Sequence, residues 1–150
     1  MNKPTLIASP KADQVLHAFG DQVSILLGGA ETAGKFTLFL DVTPPGSGPP
    51  PHYHENEDEM FYPLEGQVEF FINGAWQEVA VGTAVFVPRG TVHTFRNSGD
   101  VPLKMLIQTN PSGFEIFFDR CAKEFAKPGT PDMERIVEIS AEHGIHYITD

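Results

Sequence analysis

The stretch PPPHYHENEDEMF, residues 49–61, places two histidines one residue apart and follows them with four acidic residues within five positions. Side chains alternate along an extended strand, so His52 and His54 point to the same face, a geometry that suits metal chelation. Glu59 stands at an odd offset from His54, and an unbroken strand would put it on the opposite face. We therefore expect the chain to bend over residues 55–58 and to return Glu59 to the histidines.

A fourth ligand should come from another strand that faces the same interior. Two histidines and a carboxylate suit a borderline divalent metal, for which imidazole is a good ligand. The stretch GTAVFVPRGTVHTFRN, residues 82–97, supplies His93 directly after a turn at Pro88 and Gly90. The remaining acids of the bend, Glu55, Glu57 and Asp58, are expected to be solvated turn residues.

The spacing of these residues resembles the two sequence motifs of the cupins. The first motif is matched by Gly46, His52, His54, Glu59 and Gly66, and the second by Gly82, Pro88, Gly90, His93 and Asn97. The resemblance extends to small single-domain cupins that are similar to quercetin dioxygenases. It leaves Asp58 as a minor alternative ligand, because the family tolerates a spacing that is shorter by one residue.

The resemblance implies an all-β fold, a double-stranded β-helix or jelly roll, with one divalent transition metal inside. The implied ligands are His52, His54, Glu59 and His93, which accept Fe, Mn, Ni, Zn or Cu. Glu59 is the only anionic ligand and therefore the expected catalytic proton acceptor. Phe61 and Phe95 lie two positions from Glu59 and His93 and would face the same interior, either as a substrate pocket or as plain core packing.

Three functions remain open at this point. The first is an oxidoreductase of the dioxygenase type that acts on a small enediol, flavonol or diketone-like substrate. The second is a Lewis-acid isomerase, epimerase or lyase, and the third is a cupin that binds a small ligand without catalysis. Fold analogy does not choose among them.

Strand and helix signals predict a single domain over residues 1–150, with a barrel over about 20–109 and a helical extension over about 110–144. Eight short apolar or alternating runs between residues 23 and 109 predict the strands, and Asn73-Gly74 predicts a two-residue hairpin that pairs Phe71 with Trp76. Pro63 lies inside one of these runs and leaves the local strand register in doubt.

Two helices are predicted after residue 110. The first buries a stripe formed by Phe114, Phe117, Phe118 and Cys121. The second is predicted to start at Thr130 as N-cap with Pro131 in the first helical position. Met133, Ile136, Val137 and Ser140 would continue it, and Gly144 would end it. The run from Ile145 to Ile148 is expected to return as an edge strand.

Charge and composition exclude several partners. Ten basic and twenty acidic residues give a formal charge of -10, which disfavours binding to nucleic acid or to anionic membranes. No segment approaches the roughly 20 apolar residues of a membrane span, and the start of the chain has no signal peptide pattern. The single Cys121 fits a reducing compartment, so we expect a cytoplasmic protein. The face that carries Phe71 and Trp76 is a candidate homodimer surface, unless the C-terminal helices cover it.

Overall fold

The computed structural model describes residues 4–148 and consists mainly of β-strands. The strands are β1 Leu16–Ala18, β2 Asp21–Leu27, β3 Thr37–Thr43, β4 His52–His54, β5 Asp58–Glu65, β6 Val68–Ile72, β7 Ala75–Val79, β8 Val85–Val87, β9 Thr94–Asn97, β10 Leu103–Asn110 and β11 Ile145–Tyr147. The helices are α1 Gly29–Thr32, α2 Phe114–Phe125 and α3 Met133–Glu142, with a 3-10 turn at Ala12–Gln14. All eight strands expected between residues 23 and 109 are present. Residues 1–3 and 149–150, the ends of the expected domain, lie outside the described residues.

The strands form antiparallel sheets with the jelly-roll arrangement that the sequence predicted. One sheet has six strands in the order β1-β2-β3-β10-β5-β8, a second has the order β7-β6-β9, and β11 pairs with β4. An isolated bridge between His52 and His93 links β4 to the segment before β9. This bridge brings together the two histidine-bearing stretches, which lie about forty residues apart in sequence.

Side chains of β3 and β10, and of β5 as far as Pro63, alternate between buried and more exposed positions. Inward residues of the three strands stand side by side in rows, of which Phe39, Ile107 and Phe61 form the central one. The register shifts by one residue at Lys104 and Met105, where β10 meets Pro63 and Glu65 of β5. The register is therefore irregular beside Pro63, where the sequence had indicated an irregularity.

Two tight hairpins shape the barrel, and the sequence predicted one of them. Asn73 and Gly74 have φ values of 53° and 78°, and Phe71 faces Trp76 with ring centroids 5.6 Å apart, as expected. The hairpin between β1 and β2 turns through Phe19 and Gly20, at φ values of 54° and 82°. Phenylalanine rarely adopts a positive φ, so the residue types at this turn did not predict a hairpin.

Helix α2 closes over the barrel with the buried stripe that the sequence predicted. Phe114 stacks on Phe39 of β3 with ring centroids 5.4 Å apart. Glu115 fixes the start of the helix, because its carboxylate accepts hydrogen bonds from the backbone amides of Gly29 and Gly113. Cys121 is fully buried, and burial raises the pKa of its thiol to about 12, which fits the expected inert role.

Helix α3 differs from the prediction at its start. The N-cap is Asp132, whose carboxylate accepts a hydrogen bond from the amide of Arg135, so the Thr130 cap and the first helical position at Pro131 were wrong. The buried residues are Ile136, Ile139 and Ser140, while Met133 and Val137 are each 51% exposed. The stripe turns toward Ile139 because α3 packs against both α2 and β11. Gly144 ends the helix at φ 72° and β11 follows, as predicted.

No helix within residues 4–148 has the length and apolar composition needed to cross a membrane.

Candidate metal centre

Four side chains from separate parts of the chain converge inside the barrel. His52 and His54 come from β4, Glu59 from β5, and His93 from the residue before β9. One donor atom from each of the four lies within 4.8 Å of every other. The bend over residues 55–57 separates β4 from β5 and returns Glu59 to the histidines, as the odd offset required. The four residues expected from the sequence are therefore brought together.

Backbone hydrogen bonds hold the histidine-bearing segments in place. The amide of His52 donates to the carbonyl of His93 at 3.0 Å, and the amide of His93 donates back to His52 at 2.9 Å. The amide of Gly90 donates to the carbonyl of His54 at 2.7 Å. Because these bonds involve only main-chain atoms, the relative positions of the imidazoles are set by the fold itself.

Each imidazole is oriented by a hydrogen-bond acceptor on its outer nitrogen. Nδ1 of His52 lies 2.8 Å from the carbonyl oxygen of Pro50, and Nδ1 of His93 lies 2.8 Å from that of Thr91. Nδ1 of His54 lies 3.2 Å from a carboxylate oxygen of Glu57. Carbonyl and carboxylate oxygens only accept, so each Nδ1 carries a proton, and a ring whose single proton is on Nδ1 turns an Nε2 lone pair inward.

Glu57 was expected to be a solvated turn acid, and this was wrong. It is only 7% exposed, because the bend brings its carboxylate against Nδ1 of His54. The expectation holds better for its neighbours: Glu55 is exposed, and Asp58 pairs with Arg89 at 3.2 Å. Asp58, the alternative ligand, is not part of the cluster. The sequence alone does not distinguish an acidic residue on an exposed turn from one that orients a histidine of the cluster.

The hydrogen-bond donors and acceptors inside the cluster are mismatched in a way that a bound cation would resolve. His93 has acceptors at both nitrogens, since Nε2 lies 2.9 Å from Oε1 of Glu59, yet a neutral imidazole carries one proton. Nε2 of His54 is buried without a hydrogen-bond partner and lies 3.6 Å from the same carboxylate oxygen. Three inward nitrogen lone pairs and one carboxylate form a donor set that suits a divalent transition metal. The residues present therefore fit the expected metal.

The ionisable groups of the cluster shift one another's pKa values. Burial raises the pKa of Glu59, but the neighbouring His54 and His93 outweigh this effect and leave the pKa below its usual value. Burial lowers the pKa of His54, and the carboxylates of Glu59 and Glu57 more than reverse that change. The pKa of His52 falls to about 3, first through burial and then through the adjacent His93 and His54. His52 is therefore held neutral, in the form that binds metals.

The cluster opens into a narrow cavity with aromatic walls. Phe61 and Phe95 both line this cavity and are both buried, and the ring of Phe61 lies 5.9 Å from that of His93. The two phenylalanines also contact each other and Phe70, so they contribute to the core as well. Their role as a substrate pocket stays a prediction. The cavity has a volume of about 60 Å³, which is room for a few water molecules.

Sequence reasoning missed several residues that line this cavity. Tyr147 of β11 and the phenylalanines of α2 reach it from the C-terminal extension, and Asp21 and Asp41 reach it from β2 and β3. None of them belongs to a cupin motif, so only the fold shows their proximity to the cluster. All lining residues lie within the described part of the chain, and none is a lysine or an arginine.

Comparisons with known proteins agree with this architecture. The family profile described as Cupin domain matches residues 39–108. Quercetin 2,3-dioxygenase of Bacillus subtilis is 34% identical over 116 residues, which cover 77% of this chain and 34% of that protein. Across four curated relatives the matched segment spans 34% to 62% of the relative's own length.

Solved structures show the same fold. A predicted oxalate decarboxylase from Thermotoga maritima superimposes with a TM-score of 0.62 at 23% identity, over 69% of this chain and 98% of that one. The polyketide cyclase RemF from Streptomyces resistomycificus superimposes with a TM-score of 0.57 at 25% identity, over 73% of this chain and 80% of that one.

Proposed function

The chain belongs to the cupin superfamily, and on this basis we propose that it is a metal-dependent oxidoreductase of the dioxygenase type. Its substrate would be a small enediol, flavonol or diketone-like compound. The observation that carries this proposal is the convergence of His52, His54, Glu59 and His93, with all three imidazoles oriented through Nδ1. The similarity to quercetin 2,3-dioxygenase supports the reaction type.

The four cluster residues would hold one divalent ion, either Fe, Mn, Ni, Zn or Cu. Such an ion would supply Lewis acidity that lowers the pKa of a substrate hydroxyl, and a redox-active ion would also permit reaction with O2. The chain's own contribution is to fix the three Nε2 atoms and one carboxylate in advance, through the backbone bridge between His52 and His93.

Glu59 is the proposed proton acceptor for the substrate. It is the only anionic group of the cluster, and the adjacent histidines keep its pKa low, so it is ionised at neutral pH. Its Oε1 atom already lies between His93 and His54. A proton released from a substrate hydroxyl beside the cluster would therefore find a carboxylate oxygen within reach.

The walls of the cavity favour an uncharged, apolar substrate. Phe61 and Phe95 present aromatic surface, and the described residues that line the cavity include no lysine or arginine to pair with a carboxylate or a phosphate. At about 60 Å³, the cavity is smaller than the 150 Å³ engineered cavity that accepts benzene. A diketone is larger than benzene, so its binding requires the cavity walls to move, and a flavonol requires a larger movement of the α2 phenylalanines.

A second candidate is a Lewis-acid enzyme that uses the same site without oxygen, in the class of isomerases, epimerases and lyases. The similarity to the polyketide cyclase RemF supports it, because a cyclisation need not consume O2. The aromatic cavity suits either reaction. Binding of a small ligand without catalysis is the remaining alternative.

Oxygen uptake by metal-reconstituted protein separates these candidates. Protein loaded in turn with Fe, Mn, Ni, Cu and Zn would be supplied with acetylacetone, catechol and a flavonol, and O2 and substrate would be followed together. We expect at least one redox-active ion to support coupled consumption of O2 and substrate, with zinc-loaded protein and Glu59→Gln as controls. Turnover of substrate without O2 consumption would instead indicate the Lewis-acid reaction.

A further inference from the structure

Two carboxylic acids lie buried in the wall of the same cavity, outside the metal cluster. Asp21 begins β2 and Asp41 lies on β3, and they are 7% and 4% exposed. Asp41 pairs in the sheet with Val23, two residues from Asp21, so the two acids face the interior from adjacent strands. Both line the cavity together with His52, His54 and Glu59.

The rows of the sheet place this pair away from the cluster. Inward-facing residues of β3, β10 and β5 form three consecutive rows across the sheet. The first row contains Thr37, Thr109 and Glu59, the second contains Phe39, Ile107 and Phe61, and the third contains Asp41, Met105 and Pro63. The cluster carboxylate stands in the first row and Asp41 in the third. An apolar row therefore separates two polar regions of one cavity.

One oxygen of each carboxyl group has no hydrogen-bond donor among the described residues. The hydroxyl of Thr43 donates to Oδ2 of Asp21 at 3.1 Å, but Oδ1 of Asp21 and Oδ1 of Asp41 find no donor among the described residues. Asp21 and Asp41 project from adjacent strands into the same cavity, so the two carboxyl groups are neighbours. Two ionised carboxylates so placed would repel each other in a dry interior, and a single shared proton removes that repulsion.

The electrostatic environment acts in the same direction. Burial raises the pKa of Asp41 well above its usual value, and the adjacent Asp21 raises it further. Burial also raises the pKa of Asp21, although its hydrogen bonds with Asp41 and Thr43 offset part of the effect. Among residues 4–148, no lysine or arginine lines the cavity to stabilise a second negative charge.

We propose that Asp21 and Asp41 form a substrate-recognition site, in which the pair holds one proton and donates it in a hydrogen bond to an uncharged substrate oxygen remote from the cluster. This recognition site rests on the proposed function, because the substrate's other oxygens would be held at His52, His54, Glu59 and His93. It selects compounds with a further carbonyl or hydroxyl oxygen across an apolar span. A substrate with a carboxylate at that end would be rejected, because it would meet a second negative charge.

The test compares two ligands that share a seven-carbon chain and differ in one carbonyl oxygen, 2,4-heptanedione and 2,4,6-heptanetrione. Calorimetry would measure their binding to zinc-loaded protein, so that oxygen chemistry plays no part. We expect wild-type protein to bind the trione roughly tenfold more tightly, the worth of one hydrogen bond. Asp41→Leu should lose this preference, and Asp41→Asn should keep it, because its amide retains a donor.

A second measurement covers the case in which Asp41→Leu does not fold. Infrared spectroscopy of wild-type protein should show the C=O stretch of a protonated carboxyl group, which Asp41→Asn should lack. The trione should shift this band to lower frequency, and the dione should leave it in place. Absence of the band in wild-type protein at neutral pH would contradict a proton-holding pair.

The outcomes distinguish the recognition site from the proposed function. Equal affinity of wild-type protein for both ligands, or an equal loss for both in Asp41→Leu, would overturn the recognition role and leave the metal site intact. Failure of wild-type zinc-loaded protein to bind either ligand would overturn the proposed function, and the recognition site with it.

Discussion

The hydrogen bonds made by Nδ1 of the three imidazoles determine the direction in which Nε2 of each ring points. Two of the acceptors are backbone carbonyls, those of Pro50 and Thr91, and they persist when side chains are replaced. The third is the side chain of Glu57, which supports His54. Glu57 is therefore the one acceptor of the three that a substitution can remove.

Replacing Glu57 tests this support directly. We expect Glu57→Ala to weaken metal affinity by about 10- to 100-fold, the usual effect of losing a group that orients a metal-binding histidine. Glu57→Gln should recover part of the loss, since its amide oxygen still accepts from Nδ1. Glu55→Ala is the matched control, because Glu55 is exposed and lies only two residues away. Equal affinities for the two alanine variants, in competition with a chromophoric chelator, would contradict the assigned role.

The pKa of His52 predicts how metal-free protein responds to acid. The folded state keeps this imidazole neutral down to about pH 3, whereas it titrates near 6.5 without the fold. Below about 6.5 the unfolded chain binds the extra proton, so stability falls as the pH falls toward 3. One proton contributes at most about 1.4 kcal/mol per pH unit.

Urea unfolding of metal-free protein between about pH 7 and about pH 5 measures this slope. His52→Gln should flatten it, because glutamine does not titrate. The raised pKa of Asp41 acts with the opposite sign, since its stabilisation is lost as the pH rises. The comparison of wild type with His52→Gln leaves that contribution unchanged. Identical slopes in the two proteins would argue against a buried neutral His52.

Residue identity was predictable where spacing carried the signal. The two motifs predicted all four members of the cluster, because metal ligands must recur at fixed offsets along strands. Glu57, Asp21 and Asp41 were not predictable as site residues. Their significance depends on burial and on contacts between strands that only the folded chain brings together.

At the level of elements, helix α3 shows what the contacts of a helix add to its sequence pattern. Helical spacing places both Val137 and Ile139 beside Ile136, and the contacts of α3 with α2 and β11 determine that Ile139 is the buried one. The start of the helix moved for a local reason, because Asp132 caps it more directly than Thr130 does. The Asn73-Gly74 hairpin was predictable because its turn type admits few residues, whereas the Phe19-Gly20 hairpin uses a residue that turns disfavour.

A pair of alanine substitutions on α3 checks which face is buried. Ile139→Ala should lower the free energy of unfolding by about 2 to 5 kcal/mol, the usual cost of a cavity in a packed core. Val137→Ala should change it by no more than about 0.5 kcal/mol, because Val137 is 51% exposed. Chemical denaturation measures both. A larger loss for Val137→Ala would mean that the helix lies on its other face.

At the scale of the whole molecule, barrel and helices share one hydrophobic core. Residues of α2 and α3 belong to the same buried cluster as residues of β3, β5 and β10. The single domain over residues 1–150 stays a prediction that this shared core supports. The homodimer and the cytoplasmic location also stay predictions. Trp76 is 41% exposed and carries the guanidinium of Arg96 over its ring at 4.0 Å, so part of the candidate dimer face is already covered.

The jelly roll exists, on this account, to bring three imidazoles and one carboxylate from distant segments to one ion. Metal content per chain, measured by elemental analysis after reconstitution and removal of free ions, tests this most directly. We expect one ion per chain in wild-type protein and in His17→Ala, whose histidine is exposed and outside the cluster. Alanine at His52, His54, Glu59 or His93 should lose most of the ion while far-UV circular dichroism still reports a folded barrel. One full equivalent of metal in folded His93→Ala and His52→Ala would contradict the account.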